Sequence, residues 1–135
     1  MSPVRKCAVG LLLTASIAAM FLPWFGGARG VQEISGTLVL QDPRTLLCLA
    51  IAVLGLCTAG KYRVPLFWLG MGGITTLEVA YFLTWHIETV SGAFSLSQSF
   101  HLAYPEFYVG LGLAAATLIA YGILGPRSAA HRGPC

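Results

Sequence analysis

Four apolar runs divide the chain, and all but one of its charged residues fall in the polar intervals around them. The first run extends from Cys7 to Phe25, 19 uncharged residues, and the second from Thr45 to Gly60, 16 uncharged residues. A third runs from Val64 to Trp85, interrupted by Glu78, and a fourth from Phe107 to Gly125. A hydrocarbon core of about 30 Å takes about 20 helical residues. The second run is short for that length, but its flanking Arg44 and Lys61 can extend their charged heads toward water. Asp42-Pro43, Val64-Pro65 and Tyr104-Pro105 place proline in a first helical turn, where no intrahelical donor is lost. Gly60 before Lys61, and Gly125-Pro126, act as stop signals. The pattern predicts helices at about 7–25, 43–60, 64–86 and 105–125.

The expected fold is therefore an all-α membrane protein, a single domain over residues 1–135 built as a four-transmembrane-helix bundle. The turn at Lys61-Tyr62-Arg63 is short enough to make the second and third helices antiparallel neighbours. Longer connections of about 17 and about 20 residues join the other pairs, lengths that usually carry structure or function. In the first of these, Val31 to Ile34 and Thr37 to Leu40 flank Ser35-Gly36, which predicts a short β-hairpin. Val31, Ile34, Leu38 and Leu40 would be the apolar positions that such a hairpin offers to a partner.

Composition supports lipid as the solvent, since 56% of residues are hydrophobic, 10% are charged and mean hydropathy is +0.76. A water-soluble domain carries about 25% charged residues. Arg5, Lys6, Lys61, Arg63, Arg127 and Arg132 hold six of the eight basic charges, and their intervals contain no acid. The opposite intervals hold Arg29 and Arg44 with Glu33, Asp42, Glu88 and Glu106. Positive charge collects on the cytoplasmic face, so both termini are expected there, in a bacterial plasma membrane. Trp24, Trp85, Tyr104 and Tyr108 then mark the outer interface, with Tyr62, Trp68 and Tyr121 toward the inner one. Arg5-Lys6 before an apolar stretch imitates a secretory leader, but the run to Phe25 is long enough to be kept as a span. The net charge of +3 suits anionic lipid heads rather than nucleic acid.

Helices in lipid associate through close backbone approach at small residues. Gly112, Ala116 and Ala120 recur every four residues on the last helix, with Gly110 and Ala114 on an adjoining stripe. Gly70, Gly72 and Gly73 serve the third helix, and Gly55 with Ala59 the second.

Candidate chemistry centres on Glu78, the one acid inside an apolar run. An ionisable group at that depth faces a bundle interior or a wet cavity. It reads either as a protonatable carboxyl for transport or a cationic ligand, or as a structural carboxyl held by Thr75, Tyr81 or a neighbouring helix. Arg44, at the outer start of the second helix, is the expected ion-pair partner. His86 and His101 stand near Glu88 and Glu106, but their spacing matches no zinc or copper signature, so no metal is expected. A haem-type role for His86 would rest on one histidine at a helix end. Cys7, Cys48, Cys57 and Cys135 form no C-x-x-C motif. No nucleophile elbow, phosphate loop, metalloprotease helix or intramembrane acid pair is present. The chain is accordingly read as a non-enzyme without cofactor.

Leu22-Pro23-Trp24-Phe25, followed by Glu33-Ile34-Ser35-Gly36 and Asp42, resembles a pattern in small bacterial four-span membrane proteins. Tyr104-Pro105-Glu106-Phe107-Tyr108 with Gly110 and Gly112 is similar to the start of their last helix. The resemblance implies architecture, not activity. Claudin-type tetraspans share helix number and an outer hairpin, but have a longer first loop and paired cysteines. Small multidrug transporters are similar in length, span number and the presence of one membrane glutamate, yet theirs lies in the first helix. The expected role is a non-catalytic accessory or scaffold subunit of a larger membrane complex, bound to other membrane-protein subunits or to itself. A proton-coupled or cation transporter centred on Glu78 is the alternative, and a cofactor-binding respiratory or photosynthetic subunit a weaker one.

Overall fold

The computed structural model describes residues 2–26, 33–89 and 96–124. Val31, and the side chains of Trp85, His86 and Glu88, lie outside the described residues. The order of elements is α1 (Pro3–Ala19), β1 (Pro23–Phe25), β2 (Ile34–Ser35), α2 (Thr37–Gln41), α3 (Pro43–Cys57), α4 (Arg63–Thr89), α5 (Leu96–Leu102) and α6 (Pro105–Leu124). The molecule is mostly helical, and α4 (over Arg63–Thr84) and α6 are long and apolar enough to cross a membrane.

α1 begins four residues before the expected Cys7 because Ser2 caps it, its hydroxyl accepting from Arg5 N, and Pro3 occupies the first turn. It also ends six residues short of Phe25. Pro23 has no N–H to give the carbonyl of Ala19, four residues back, so the helix cannot continue. The indole of Trp24 takes that acceptor instead, Nε1 donating to the Ala19 carbonyl at 3.0 Å. The chain then runs extended as β1. α3 starts as expected, with the Asp42 carboxylate accepting from Arg44 N at 2.8 Å and Pro43 in the first turn. It stops at Cys57, where Thr58 turns both its N–H and its hydroxyl onto the Leu54 carbonyl.

The hairpin expected about Ser35-Gly36 does not form. Gly36 sits in the right-handed helical region at φ −63° and ψ −7°, whereas a two-residue hairpin turn needs positive φ. Residues 37–41 accordingly form α2, with Val39 buried, Ile34 buried, Leu40 half-buried and Leu38 exposed. β2 pairs instead with β1, antiparallel, Pro23 opposite Ser35 and Phe25 opposite Ile34.

The four longer helices pack as two pairs, α3 on α4 and α1 on α6, joined where α4 meets α6. α3 and α4 come closest at glycines. A side-chain carbon at Gly70 would fall on the backbone of Ala52 and Cys48, at Gly73 on the Cys48 thiol, and at Gly55 on the backbone of Phe67 and Arg63. On α6 the buried stripe is Phe107, Gly110, Ala114, Thr117 and Tyr121. The expected Gly112, Ala116, Ala120 stripe is turned aside: Gly112 is exposed with no atom near it, and the two alanines are half-buried. Gly110 wins because Trp24 and Ala19 need its space, lying 3.3 Å and 3.6 Å from where its side chain would begin.

Candidate functional site

The end of the molecule near Trp24 is closed by a cap drawn from three distant stretches. β1 lies between β2 and the segment joining α5 to α6. Tyr104 N donates to the Trp24 carbonyl at 2.8 Å, Gly26 N to the Leu102 carbonyl at 3.2 Å and Gly36 N to the Leu22 carbonyl at 3.3 Å. Trp24 is fully buried. It stands edge-on to Phe107 at 5.3 Å and lies over Gly36, where any side chain would strike its ring. Gly26 holds φ at +156° beside Glu33 and the Tyr104 hydroxyl, a conformation and a space that suit only glycine. Tyr104 Oη donates to Glu33 Oε1 at 3.4 Å. Desolvation, then the charge and hydrogen bond of Glu33, then the charge of Glu106, raise the Tyr104 phenol above its ordinary value of 10.0. The two sequence motifs about Trp24 and Tyr104 are thus one structural unit.

Beneath the cap lies a layer of aromatic rings. Phe82 stacks on Phe107 at 4.9 Å and 12°, with Phe25 5.2 Å from Phe107 and Phe100 5.0 Å from Phe82.

One turn below Phe82, on the same buried stripe of α4, is Glu78. Its side chain is fully buried, and neither carboxylate oxygen has a hydrogen-bond partner among the described residues. The expected pair with Arg44 is not made. The Arg44 side chain is 79% exposed and turns back to Asp42 at 3.9 Å, because the carboxylate that caps α3 is the nearer partner and keeps the guanidinium in a polar setting. Thr75, another expected partner, donates to the Met71 carbonyl at 3.0 Å.

Two further buried hydroxyls lack partners among the described residues, Ser16 on α1 and Thr45 on α3. Neither was singled out from sequence; the available signal was that each is a polar residue on the apolar stripe of its own helix. Thr45 belongs to the wall of a cleft of about 390 Å³ between the start of α3 and the upper part of α4, which Asp42, Arg44, Tyr81 and Thr84 also border. Between α1 and α3 lies an apolar groove of about 610 Å³ lined by Leu13, Ile17, Phe21, Leu49 and Val53.

Comparison with protein-family models, curated proteins and solved structures finds no match. Among the described residues no three His, Cys, Asp or Glu gather as a metal centre, and His101 is exposed.

Proposed function

We propose that the chain is a four-span integral membrane protein, both termini on the cytoplasmic face, serving as a non-catalytic accessory or scaffold subunit of a larger membrane assembly. The observation that carries this reading is the open side of the helix packing. α3 is covered by α4 and α1 by α6, whereas α1 and α3 leave the apolar groove between them. A groove of that shape and chemistry fits the apolar face of one more membrane helix, from another subunit or a second copy. The cap supports the same reading, since its backbone hydrogen bonds make a rigid platform at the outer end, as a docking surface requires.

Purification in mild detergent tests the association. A stoichiometric partner or a defined oligomer is expected, and Ala18→Phe, which fills the groove from an exposed position, should release it. A chain that purifies alone and stays monomeric ends this reading. Reporter fusions after Arg63 and after Arg127 test the topology and should both report the cytoplasmic side.

A second reading, transport of protons or small cations, is favoured by Glu78. A carboxyl buried in the bundle without partner is costly to keep unless something neutralises it.

A further inference from the structure

The helical hydroxyls divide into two groups, whether exposed, half-buried or buried. Thr14, Thr75, Thr76, Thr84 and Thr117 each donate to the carbonyl four residues back, at 2.7 to 3.0 Å, which is the ordinary way to satisfy a hydroxyl in an apolar helix. Ser16 sits in mid-helix with such a carbonyl in its own turn, yet does not use it. Thr45, in the first turn of α3, also remains without a partner. Both face the protein interior with no exposed surface, as Glu78 does.

Contact register puts the three groups near one level. Gly73 abuts Cys48; from that level α4 rises five residues to Glu78 and α3 rises three to Thr45, leaving a difference of about 3 Å at 1.5 Å per residue. Phe82 stacks on Phe107, so Glu78, one turn lower, comes level with Gly110, which faces Ala19. Ser16 lies about 4.5 Å below Ala19. One helical turn therefore contains four oxygen atoms without protein partners: two from the carboxylate and one from each hydroxyl.

We propose that Glu78, Thr45 and Ser16 bind a single small monovalent cation, which enters through the cleft at the start of α3. Oxygen donors select a hard cation. The site carries one negative charge, so a monovalent ion leaves it neutral, while a divalent ion would leave a net charge in an apolar interior. Entry along the bundle axis is blocked by the stacked rings of Phe82 and Phe107. The cleft offers the lateral route, because Thr45 is part of its wall and Asp42 and Thr84 give it polar edges. The site is the one on which the transport reading rests, but binding does not require transport.

The experiment is thermal unfolding of the full chain in detergent, followed by tryptophan fluorescence, with choline chloride replaced stepwise by sodium, lithium or potassium chloride at constant ionic strength. A ligand that binds the folded state raises Tm in a saturable way. Wild type should show this rise with at least one of the three cations, and Glu78→Gln should lose it. Thr45→Val and Ser16→Ala should keep the rise with a midpoint about tenfold higher, the loss expected for one polar ligand. A wild-type Tm that none of the cations moves overturns the site, as does a rise that survives intact in Glu78→Gln. Should Glu78→Gln fail to fold, the midpoints of the two hydroxyl variants decide, and unchanged midpoints overturn the assignment. Flux into liposomes separates the two claims: binding without flux ends the transport reading alone, and Glu78-dependent proton flux with no cation effect on Tm ends the cation site alone.

Discussion

Replacing Gly70 by alanine probes the α3–α4 contact at its tightest point. In an ordinary helix this change is favourable by about 1 kcal/mol, because alanine loses less backbone freedom. Here the added carbon would stand 2.5 Å from the Cys48 carbonyl oxygen and 2.7 Å from Ala52 Cα, against an optimal separation of about 3.5–4.0 Å. Both obstacles are backbone, so no side chain can swing away. The two helices must part by about 1 Å, which forfeits a quarter to a half of each contact's attraction along the seam. Overpacking of this kind costs about 1–3 kcal/mol, and backbone obstacles put it near 3. The net loss is then about 2 kcal/mol. Gly72 provides the control, since no atom lies within 4 Å of its added carbon, and Gly72→Ala should gain up to about 1 kcal/mol. Two alanines two residues apart on one helix should differ by about 3 kcal/mol. Unfolding of the detergent-solubilised variants by SDS titration, followed by circular dichroism, measures the difference. Equal stability of the two, or a Gly70→Ala protein more stable than wild type, would refute the close approach of α3 and α4.

Other expectations concern the cap and the opposite end. Trp24→Phe removes the donor that replaces the missing N–H of Pro23 and should cost about 1–2 kcal/mol, while Trp24→Ala should cost about 3–5, both read as the loss in unfolding free energy. Tyr121 stacks on Phe67 at 3.8 Å and donates to the Arg63 carbonyl at 3.3 Å; Tyr121→Phe keeps the stack and should cost about 1 kcal/mol. Ultraviolet titration should find the Tyr104 phenol ionising above its ordinary value of 10.0, lowered toward that value by Glu33→Gln. The neutral phenol is favoured in the folded state. Its contribution is thus fully present below the unfolded value and is lost as pH rises through the higher folded one, so the stability gap between wild type and Tyr104→Phe should narrow as pH rises through that range. A Tyr104 titration that Glu33→Gln leaves unmoved would exclude the Glu33–Tyr104 contact.

Much of the architecture was legible in the residues themselves. Proline after Asp42 and before Glu106 marks the starts of α3 and α6 because first-turn geometry is a local property. The apolar lengths of α4 and α6, and the isolation of Glu78 among apolar neighbours, are likewise visible without a fold. A local signal also accounts for the early end of α1: Pro23 stops it at Ala19, since the hydrogen bond it denies lies four residues back.

What remained hidden depended on segments far apart in the chain. Ile34-Ser35 carries strand propensity, but only the return of β1 beneath it decided its partner and left residues 37–41 to coil. Two stripes of small residues on α6 are equivalent as patterns; Trp24, supplied by another helix's end, chose Gly110 over Gly112. Arg44 and Glu78 are complementary charges at compatible depths, yet Asp42 holds the arginine outside. A sequence determines which groups must be buried and which bonds each turn must close. The helices' mutual rotation alone decides which buried groups meet, because periodicity names a face without naming its neighbour, and so the convergence of Ser16, Thr45 and Glu78 toward one level belongs to the tertiary structure.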